Sequence, residues 1–135
     1  MKKILILLVL LVGACTNIQV EKQEPTPVKN IIEVSKAEYQ LTNIFPGQGL
    51  TLGFDEQGRI FGYSGLNRFF GKAEIIDGNI KVLTLASTRM GGSREALIRE
   101  DQYLKLLESM KTIQIDKGQL ILSNEKGEKL IYIGE

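Results

Sequence analysis

The chain of 135 residues contains no histidine, and this absence excludes several kinds of catalytic and metal site. Without an imidazole there is no Ser-His-Asp or Cys-His catalysis, no His-ligated zinc and no histidine general base. Cys15 is the single cysteine, so no disulfide can form within the chain and stability must come from packing and hydrogen bonds. An enzyme built on this chain would have to rely on Asp, Glu, Lys, Tyr or Ser.

An excess of charge of either sign is also missing. The chain has 17 basic and 16 acidic residues, and loss of Lys2 and Lys3 with a signal peptide would leave it close to neutral. Nucleic acids favour proteins with a concentrated basic face. The balance therefore predicts no nucleic-acid partner and marks no polybasic membrane patch.

The chain has no hydrophobic run long enough to span a bilayer. The apolar stretch Ile4–Val12 has about nine residues, whereas a membrane-spanning helix needs about 20. A basic head, Lys2 and Lys3, precedes this stretch, and small residues lead into Cys15. This pattern is typical of a bacterial lipoprotein signal, with residues 1–14 removed and Cys15 acylated. The alternative is an ordinary secretory signal whose cysteine is incidental.

Residues 15–36 are predicted to form an acylated N-terminus and a flexible tether, because the segment is mostly polar and contains Pro25 and Pro27. The apolar residues at its end, Ile31, Ile32 and Val34, either start the folded domain or pack as an edge segment. The lipid at Cys15 makes a membrane the first predicted partner.

Thr16, rather than Asp, follows the cysteine. We therefore expect delivery to the outer membrane, facing the periplasm, if the cell has two membranes.

Residues 37–135 are predicted to form one monomeric α+β domain that is mainly β. Short apolar runs alternate with Gly, Asp and Asn, which indicates a small, strongly curved antiparallel sheet or open barrel of about eight strands. Asp77-Gly78 favours a tight hairpin turn. The predicted strands are 39–44, 50–54, 59–64, 73–76, 80–83, 112–116, 120–123 and 129–133.

One segment has helical periodicity. Ser93 is a good N-cap and Glu95 lies in the first turn, where the helix dipole favours an acid. These features predict an amphipathic helix over about 94–109 that packs on the open side of the sheet. Its apolar stripe comprises Ala96, Leu97, Tyr103, Leu104, Leu107 and Met110.

The most distinctive string is Gly62-Tyr63-Ser64-Gly65-Leu66-Asn67-Arg68-Phe69-Phe70-Gly71. Its three glycines predict a tight corner between strands, in which Asn67 satisfies loop backbone groups. Phe69 or Phe70 is expected to reach the core, and Arg68 to pair with an acid or stay solvated.

This string resembles the corner motif of the META domain family of HslJ-like lipoproteins, Gly-x-x-Gly-Cys-Asn-x-aromatic-x-Gly. The family's later Thr-x-Met-Ala-Cys element, followed by a helix with an acid, is similar to Thr88-Arg89-Met90-Gly91-Gly92 and Glu100. The family's opening Trp-x-Leu appears as Tyr39-Gln40-Leu41. The matching positions, taken as structural or binding residues, are Gly62, Gly65, Asn67, Phe69, Phe70, Gly71, Thr88, Met90 and Glu100.

The resemblance implies a curved antiparallel sheet closed by one helix, with no established catalytic centre. Two cysteines that many members carry are replaced here by Leu66 and Gly92, so their disulfide is lost as a pair. Members are associated with antibiotic tolerance, stress response or motility, and the architecture is similar to that of secretin pilotins.

Other candidate sites are weaker. Gly62–Leu66 misses the last glycine of the nucleophile elbow, and no histidine could activate Ser64. Gly47-Gln48-Gly49 is interpreted as a turn, and Asp55 and Asp77 as turn acids. The acids are too sparse for a calcium loop, so we predict no metal, no cofactor and no catalytic residue. The basic residues Arg68, Lys72, Arg89, Arg94 and Arg99 are expected to form a solvated face or, alternatively, a weak site for an anion or peptide near the helix start.

Two functional hypotheses follow. The first is a non-enzymatic envelope lipoprotein that binds a protein, peptide or apolar ligand, or supports the envelope under stress. The second is a pilotin-like chaperone that holds a segment of a secretion-system subunit between helix and sheet. An open apolar cleft near Leu104, Leu107 and Met110 would favour the second, and a core filled by Phe54, Phe61 and Phe69 would favour a closed domain.

Overall fold

The computed structural model describes residues 38–134. The predicted signal peptide, Cys15 and the predicted tether, with Ile31, Ile32 and Val34, lie outside these residues. The described chain forms eight strands and a helix in the order β1–β5, α1, β6–β8, and this helix is not long and apolar enough to cross a membrane. The elements are β1 Tyr39–Leu41, β2 Thr51–Phe54, β3 Arg59–Tyr63, β4 Arg68–Ile76, β5 Asn79–Ser87, α1 Arg94–Glu108, β6 Thr112–Asp116, β7 Gln119–Ser123 and β8 Lys129–Gly134.

The strands form a closed antiparallel barrel in sequence order, with β8 pairing back onto β1. The prediction of about eight antiparallel strands and one helix is confirmed, and the barrel is closed rather than open. Its weakest seam lies between β5 and β6, which meet at a single register pair, Asn79↔Thr112. The seam is short because α1 is inserted in the sequence between these two strands.

The predicted tight turns are present. Asp77 and Gly78 take φ values of 49° and 77° between β4 and β5, as a two-residue hairpin turn requires. Gly47 and Gly49 also have positive φ, and they lie in the turn between β1 and β2. Because the chain already turns at Phe45, with φ 50°, β1 stops at Leu41 and does not reach residue 44 as predicted.

The β4–β5 hairpin is much longer than predicted. β4 begins at Arg68, so Phe69, Phe70 and Gly71 belong to a strand and not to the glycine corner. Phe69 is 1% exposed and points into the barrel, whereas Phe70 is 56% exposed on its outer face. The corner is reduced to a turn of four residues, 64–67.

α1 closes one end of the barrel. The Ser93 side chain accepts a hydrogen bond of 3.2 Å from the Ala96 amide, which caps the helix as predicted. Ala96, Tyr103 and Leu107 are buried, and Leu104 is half-buried. Leu97, also assigned to the buried stripe, is 47% exposed, so that part of the prediction is wrong. It follows Ala96 by one residue and therefore points about 100° away from it around the helix.

The centre of the core is a pair of tyrosines that joins α1 to the barrel. The hydroxyl oxygens of Tyr103 and Tyr132 lie 2.9 Å apart, and the Tyr103 hydroxyl donates to the Thr51 carbonyl at 3.2 Å. The Phe69 ring packs edge-on against Tyr103, with ring centroids 5.8 Å apart. Burial raises the pKa of both tyrosines well above the usual value. Both hydroxyls are therefore neutral and serve to fix the helix.

Candidate functional site

The turn between β3 and β4 is closed by its own hydrogen bonds. The Ser64 amide donates to the Asn67 carbonyl at 2.9 Å, and the Asn67 amide donates to Ser64 Oγ at 3.0 Å. Gly65 has φ 86°, a conformation that glycine adopts without strain. Ser64 is fully buried, so its hydroxyl belongs to the turn and not to an exposed nucleophile.

The Asn67 side chain joins this turn to two other segments. Its Oδ1 accepts hydrogen bonds from the Met90 amide at 2.7 Å and from Thr88 Oγ1 at 3.1 Å. Its Nδ2 donates to Glu100 Oε1 at 3.1 Å and to the Met90 carbonyl at 3.4 Å. Because Asn67 is 2% exposed, these bonds replace the water that a free amide would hold. Asn67 therefore satisfies a loop backbone as predicted, but the loop is the one after β5.

Glu100 completes the connection from α1. Its Oε2 accepts a short hydrogen bond from Ser64 Oγ, while Oε1 accepts the bond from Asn67. Hydrogen bonds to a carboxylate are stronger than those between neutral groups. The structure thus brings together four residues that the resemblance singled out, Asn67, Thr88, Met90 and Glu100. It adds Ser64, which sequence reasoning considered only as a nucleophile.

Two glycines of the motif are required by close approaches between strands. A Cβ on Gly62 would overlap the Thr51 carbonyl oxygen of β2 and lie within 2.7 Å of the Phe69 ring. A Cβ on Gly71 would overlap the Thr84 carbonyl oxygen of β5. Their role is therefore to let neighbouring strands and the Phe69 ring pack closely.

The two positions at which many META members carry cysteine are neighbours. A Cβ on Gly92 would lie 2.6 Å from Cδ1 of Leu66. The half-buried leucine side chain thus fills the space that a side chain at residue 92 would need. Leu66 and Gly92, the positions that the resemblance aligns with cysteines, are thus joined here by an apolar contact.

A surface cleft lies above the cluster of Ser64, Asn67, Thr88, Met90 and Glu100, between the end of β5, the following loop and α1. Its volume is about 660 Å³. We call it the β5–α1 cleft. Met90 and Leu97 stand at this cleft with 64% and 47% of their surfaces exposed. It is lined by Asn67, Leu85, Ala86, Ser87, Thr88, Arg89, Met90, Gly91, Leu97 and Glu100.

The predicted basic surface is only partly assembled. Arg89 lines the β5–α1 cleft, whereas Lys72 lines a separate groove beside Asp55 and Arg59. Arg68 pairs with Glu38 at 2.6 Å and remains 62% exposed, so both predicted outcomes apply to it. Arg99 lies against the β3–β4 turn, with its Nε 3.1 Å from the position of a Cβ on Gly65, and this Nε is buried without a hydrogen-bond partner among the described residues.

Asp55 is a turn acid, as predicted. Although its partial desolvation raises the pKa of the carboxyl, hydrogen bonds from the Arg59 amide and side chain and from the Gln57 amide outweigh this effect and hold the pKa below its usual range. Within residues 38–134, no group of three acidic or cysteine side chains comes together as a metal site would need.

The cleft itself was not predicted from the sequence. The exposed Leu97 was assigned to the buried face, and the seam between β5 and β6 has no local sequence signal. Ala96 and Leu97 are adjacent apolar residues, and adjacent residues point about 100° apart around a helix. This pair is the sequence feature that could have indicated a second, exposed apolar face.

Comparison with solved structures shows that the fold is shared. An NMR structure of a protein from Burkholderia xenovorans is 22% identical, covers 76% of this chain and 84% of its own, and superimposes with a TM-score of 0.60. A second NMR structure is 23% identical, covers 72% and 87%, and gives a TM-score of 0.56.

Comparison with curated proteins gave no match. The sequence profile of the META domain matches residues 32–135, which is more than half of the chain. The expectation from the glycine corner and the Thr-x-Met element is therefore confirmed. The chain belongs to the META domain family.

Proposed function

We propose that this protein is a membrane-anchored, non-enzymatic binding module of the bacterial cell envelope, and that the β5–α1 cleft holds a segment of a protein or peptide partner. The observation that carries the proposal is the exposure of Met90 and Leu97 beside the hydrogen-bonded polar cluster that forms the floor of the cleft. Apolar side chains grouped on a surface mark interaction sites, and binding sites are usually preformed.

The floor of the cleft supports binding rather than catalysis. The buried polar side chains beneath it are already engaged: Asn67 makes four side-chain hydrogen bonds, and Glu100 accepts from Ser64 and Asn67. A general base or nucleophile needs a lone pair or proton directed at a substrate. These groups instead hold the turn, the loop and the helix in one arrangement.

The proposed anchor is a diacylated Cys15, supported by the basic head, the apolar stretch and the small residues before the cysteine. Replacement Cys15→Ser is expected to abolish palmitate labelling and to release the domain from the membrane fraction. A variant that stays labelled and membrane-bound would rule out this anchor. A role in envelope stress or antibiotic tolerance is supported by the family resemblance alone.

The pilotin-like alternative is less favoured. It places a partner segment between helix and sheet, near Leu104, Leu107 and Met110. Leu107 and Met110 are buried in the barrel core together with Phe54 and Phe69. Phe61, which was also expected to fill the core, is half-buried and lines the groove beside Asp55 instead, because it lies on the outer face of β3. A partner segment could enter the barrel core only by displacing packed side chains, which typically costs several kcal/mol.

Site-directed photocrosslinking in the native envelope tests the proposed cleft. A benzoylphenylalanine at residue 90 is expected to capture a discrete adduct, because Met90 stands at the cleft. The same group at residue 133 is the matched control, since Ile133 is 42% exposed on β8. Adducts of equal yield from both positions, or none from residue 90, would contradict the proposal.

A further inference from the structure

The outer face of the barrel carries two phenylalanines between two small residues. In the strand register, Gly53 pairs with Phe61, Phe61 with Phe70, and Phe70 with Ala86. A Cβ on Gly53 would lie 2.5 Å from the Phe61 ring, so this ring lies over Gly53 and is half-buried. Phe70 is 56% exposed. Apolar side chains grouped on a surface in this way mark a contact site.

The two rings line a groove of about 450 Å³ on β3 and β4, which we call the β3–β4 groove. Its charged residues are Asp55, Arg59 and Lys72. Because Arg59 pairs with Asp55, only the charge of Lys72 is not offset within this lining. A single charge does not select an occupant, so the apolar lining and the path of the chain have to identify it.

The described chain begins at Glu38, directly before β1. The Glu38 carboxylate accepts a hydrogen bond from Thr51 Oγ1 on β2 and pairs with the guanidinium of Arg68 at 2.6 Å. Arg68 is 62% exposed at the start of β4, so these contacts lie on the outer face of the barrel. The chain therefore reaches the barrel on the face that carries the β3–β4 groove.

The segment before Glu38 contains apolar residues. Residues 31–36 lie outside the described residues and have the sequence Ile-Ile-Glu-Val-Ser-Lys. Side chains alternate along an extended chain, so Ile32 and Val34 would face the same side. The META profile starts at residue 32 and therefore includes this segment in the domain.

The segment is long enough to cross the groove. The register of β1 and β2 places Glu38 beside Gly53, in the row that contains both phenylalanines. Adjacent strands lie about 4.8 Å apart, so β3 and β4 are about 10 and 14 Å from Glu38. An extended chain covers about 3.5 Å per residue, which lets Val34 reach about 14 Å and Ile32 about 20 Å. The β5–α1 cleft lies at least one strand further, beyond the reach of Val34.

We propose that residues 31–36 pack across the β3–β4 groove, with Val34 against Phe61 and Ile32 against Phe70. The contact removes the apolar surface of both sides from water. The chain thus covers its own aromatic pair, and the flexible tether is limited to residues 16–30. The groove shares no lining residue with the β5–α1 cleft, so this contact is independent of the proposed function and leaves the cleft free for a partner.

Nuclear Overhauser contacts between methyl and ring protons test this packing. The barrel closes on its own core within residues 38–134, so residues 15–135 with Cys15→Ser are used in aqueous buffer. Contacts are expected from the Val34 methyls to the Phe61 ring and from the Ile32 methyls to the Phe70 ring. A sample that mixes labelled and unlabelled chains shows whether these contacts form within one chain, as expected.

A substitution in the groove tests whether the exposed ring holds the segment. Phe70→Thr removes the ring and keeps a β-branched residue in the strand. It is expected to accelerate trypsin cleavage after Lys36 at least fivefold. Ile76→Thr is the matched control and should change the rate less than twofold, because Ile76 is 54% exposed on the same strand and does not line the groove. If Phe70→Thr lowers the thermal midpoint so far that it does not fold, the contacts measured in the parent chain decide.

A second pair of variants changes the segment and leaves the barrel intact. Val34→Ser is expected to shift the ring resonances of Phe61, because it removes the methyl groups that pack on this ring. Val28→Ser is the matched control, since Val28 is the same residue type and precedes the segment. It should leave the ring resonances unchanged. Equal shifts from both variants would contradict the proposed contact.

Three other results would overturn the inference. The first is the absence of any contact from Ile32 or Val34 to either ring. The second is contacts that form only between labelled and unlabelled chains, which would mean that a second copy occupies the groove. The third is contacts to Met90 or Leu97, which would place the segment in the β5–α1 cleft. The photocrosslinking at residue 90 tests the proposed function separately.

Discussion

Nδ2 of Asn67 donates a hydrogen bond of 3.1 Å to Oε1 of Glu100, and this bond ties the β3–β4 turn to α1 across 33 residues of sequence. The same side chain holds the Met90 amide through Oδ1 at 2.7 Å. One buried amide thus sets the relative positions of the turn, the loop after β5 and the helix. These three segments form the floor and the sides of the β5–α1 cleft.

Asn67→Ala is expected to lower the free energy of unfolding by about 2 to 3 kcal/mol, because it leaves the Met90 amide and part of the Glu100 carboxylate without partners. Urea denaturation measures the loss. Asn43→Ala is the matched control, since Asn43 also bridges to a distant strand, accepting from the Ile131 amide at 2.9 Å, but is exposed. It is expected to cost about 1 kcal/mol or less. Equal losses would show that burial does not increase the contribution of the Asn67 hydrogen bonds to the free energy of unfolding.

Two glycine substitutions are expected to differ sharply. Gly71→Ala forces a methyl group against the Thr84 carbonyl, a backbone atom that cannot move without breaking the β4–β5 ladder, so a loss of about 3 kcal/mol or more is expected. Gly92→Ala meets the end of the Leu66 side chain, which can rotate, so a loss of about 1 kcal/mol or less is expected. Thermal midpoints of both variants check this. A larger loss at residue 92 than at residue 71 would refute the steric assignment.

The buried tyrosine pair predicts unfolding at alkaline pH. Burial raises the pKa of Tyr103 and Tyr132 in the folded state, so the unfolded chain loses these protons first, near the usual tyrosine value of about 10. The contribution of the two tyrosines to the free energy of unfolding is therefore fully present below about pH 10. It falls as pH rises further, by about 1.4 kcal/mol per pH unit for each tyrosine. Urea denaturation between pH 8 and 12 measures the slope. Tyr132→Phe should make it shallower, and an unchanged slope would count against this origin.

The lowered pKa of Asp55 predicts a loss of stability at acid pH. Its pKa is lowered in the folded state, so its carboxylate contributes stability above the usual aspartate range, and this contribution is lost as pH falls through the lowered value. Asp55→Asn keeps an oxygen acceptor for the turn amides but removes the charge. We expect it to be less stable than the parent at pH 7, and we expect the difference to shrink as pH falls below the usual aspartate range. A difference in thermal midpoint that does not shrink between pH 7 and pH 2 would contradict a charge effect.

Much of the fold was predictable because its signals are local. The Asp77-Gly78 turn, the Ser93 cap and the bounds of β6, Thr112–Asp116, depend on neighbouring residues and agree with the structure. The start of β4 was not predictable in this way. Gly71 indicated a loop, whereas the residue serves a close approach to Thr84 in the partner strand β5, a contact that the residues next to Gly71 do not reveal.

The candidate site was predictable only in part. The resemblance to the META family pointed to Asn67, Thr88, Met90 and Glu100, but it did not show that a single side chain, Asn67, contacts the other three. The cleft lies between the end of β5, the following loop and α1, so it depends on how the helix packs against the barrel. No pattern of adjacent residues encodes that packing.

The most direct test of the central claim, that the β5–α1 cleft holds a partner, compares two neighbouring residues of α1. Leu97 lines the cleft and is 47% exposed, whereas Ile98 is 48% exposed and does not line it. With benzoylphenylalanine at residue 90 in the native envelope, Leu97→Ser is expected to reduce the adduct yield about fivefold, as loss of about 1 kcal/mol of apolar contact implies. Ile98→Ser should leave the yield within about twofold, since its side chain lies off the contact. Equal reductions by both substitutions, or no reduction by Leu97→Ser, would contradict the claim.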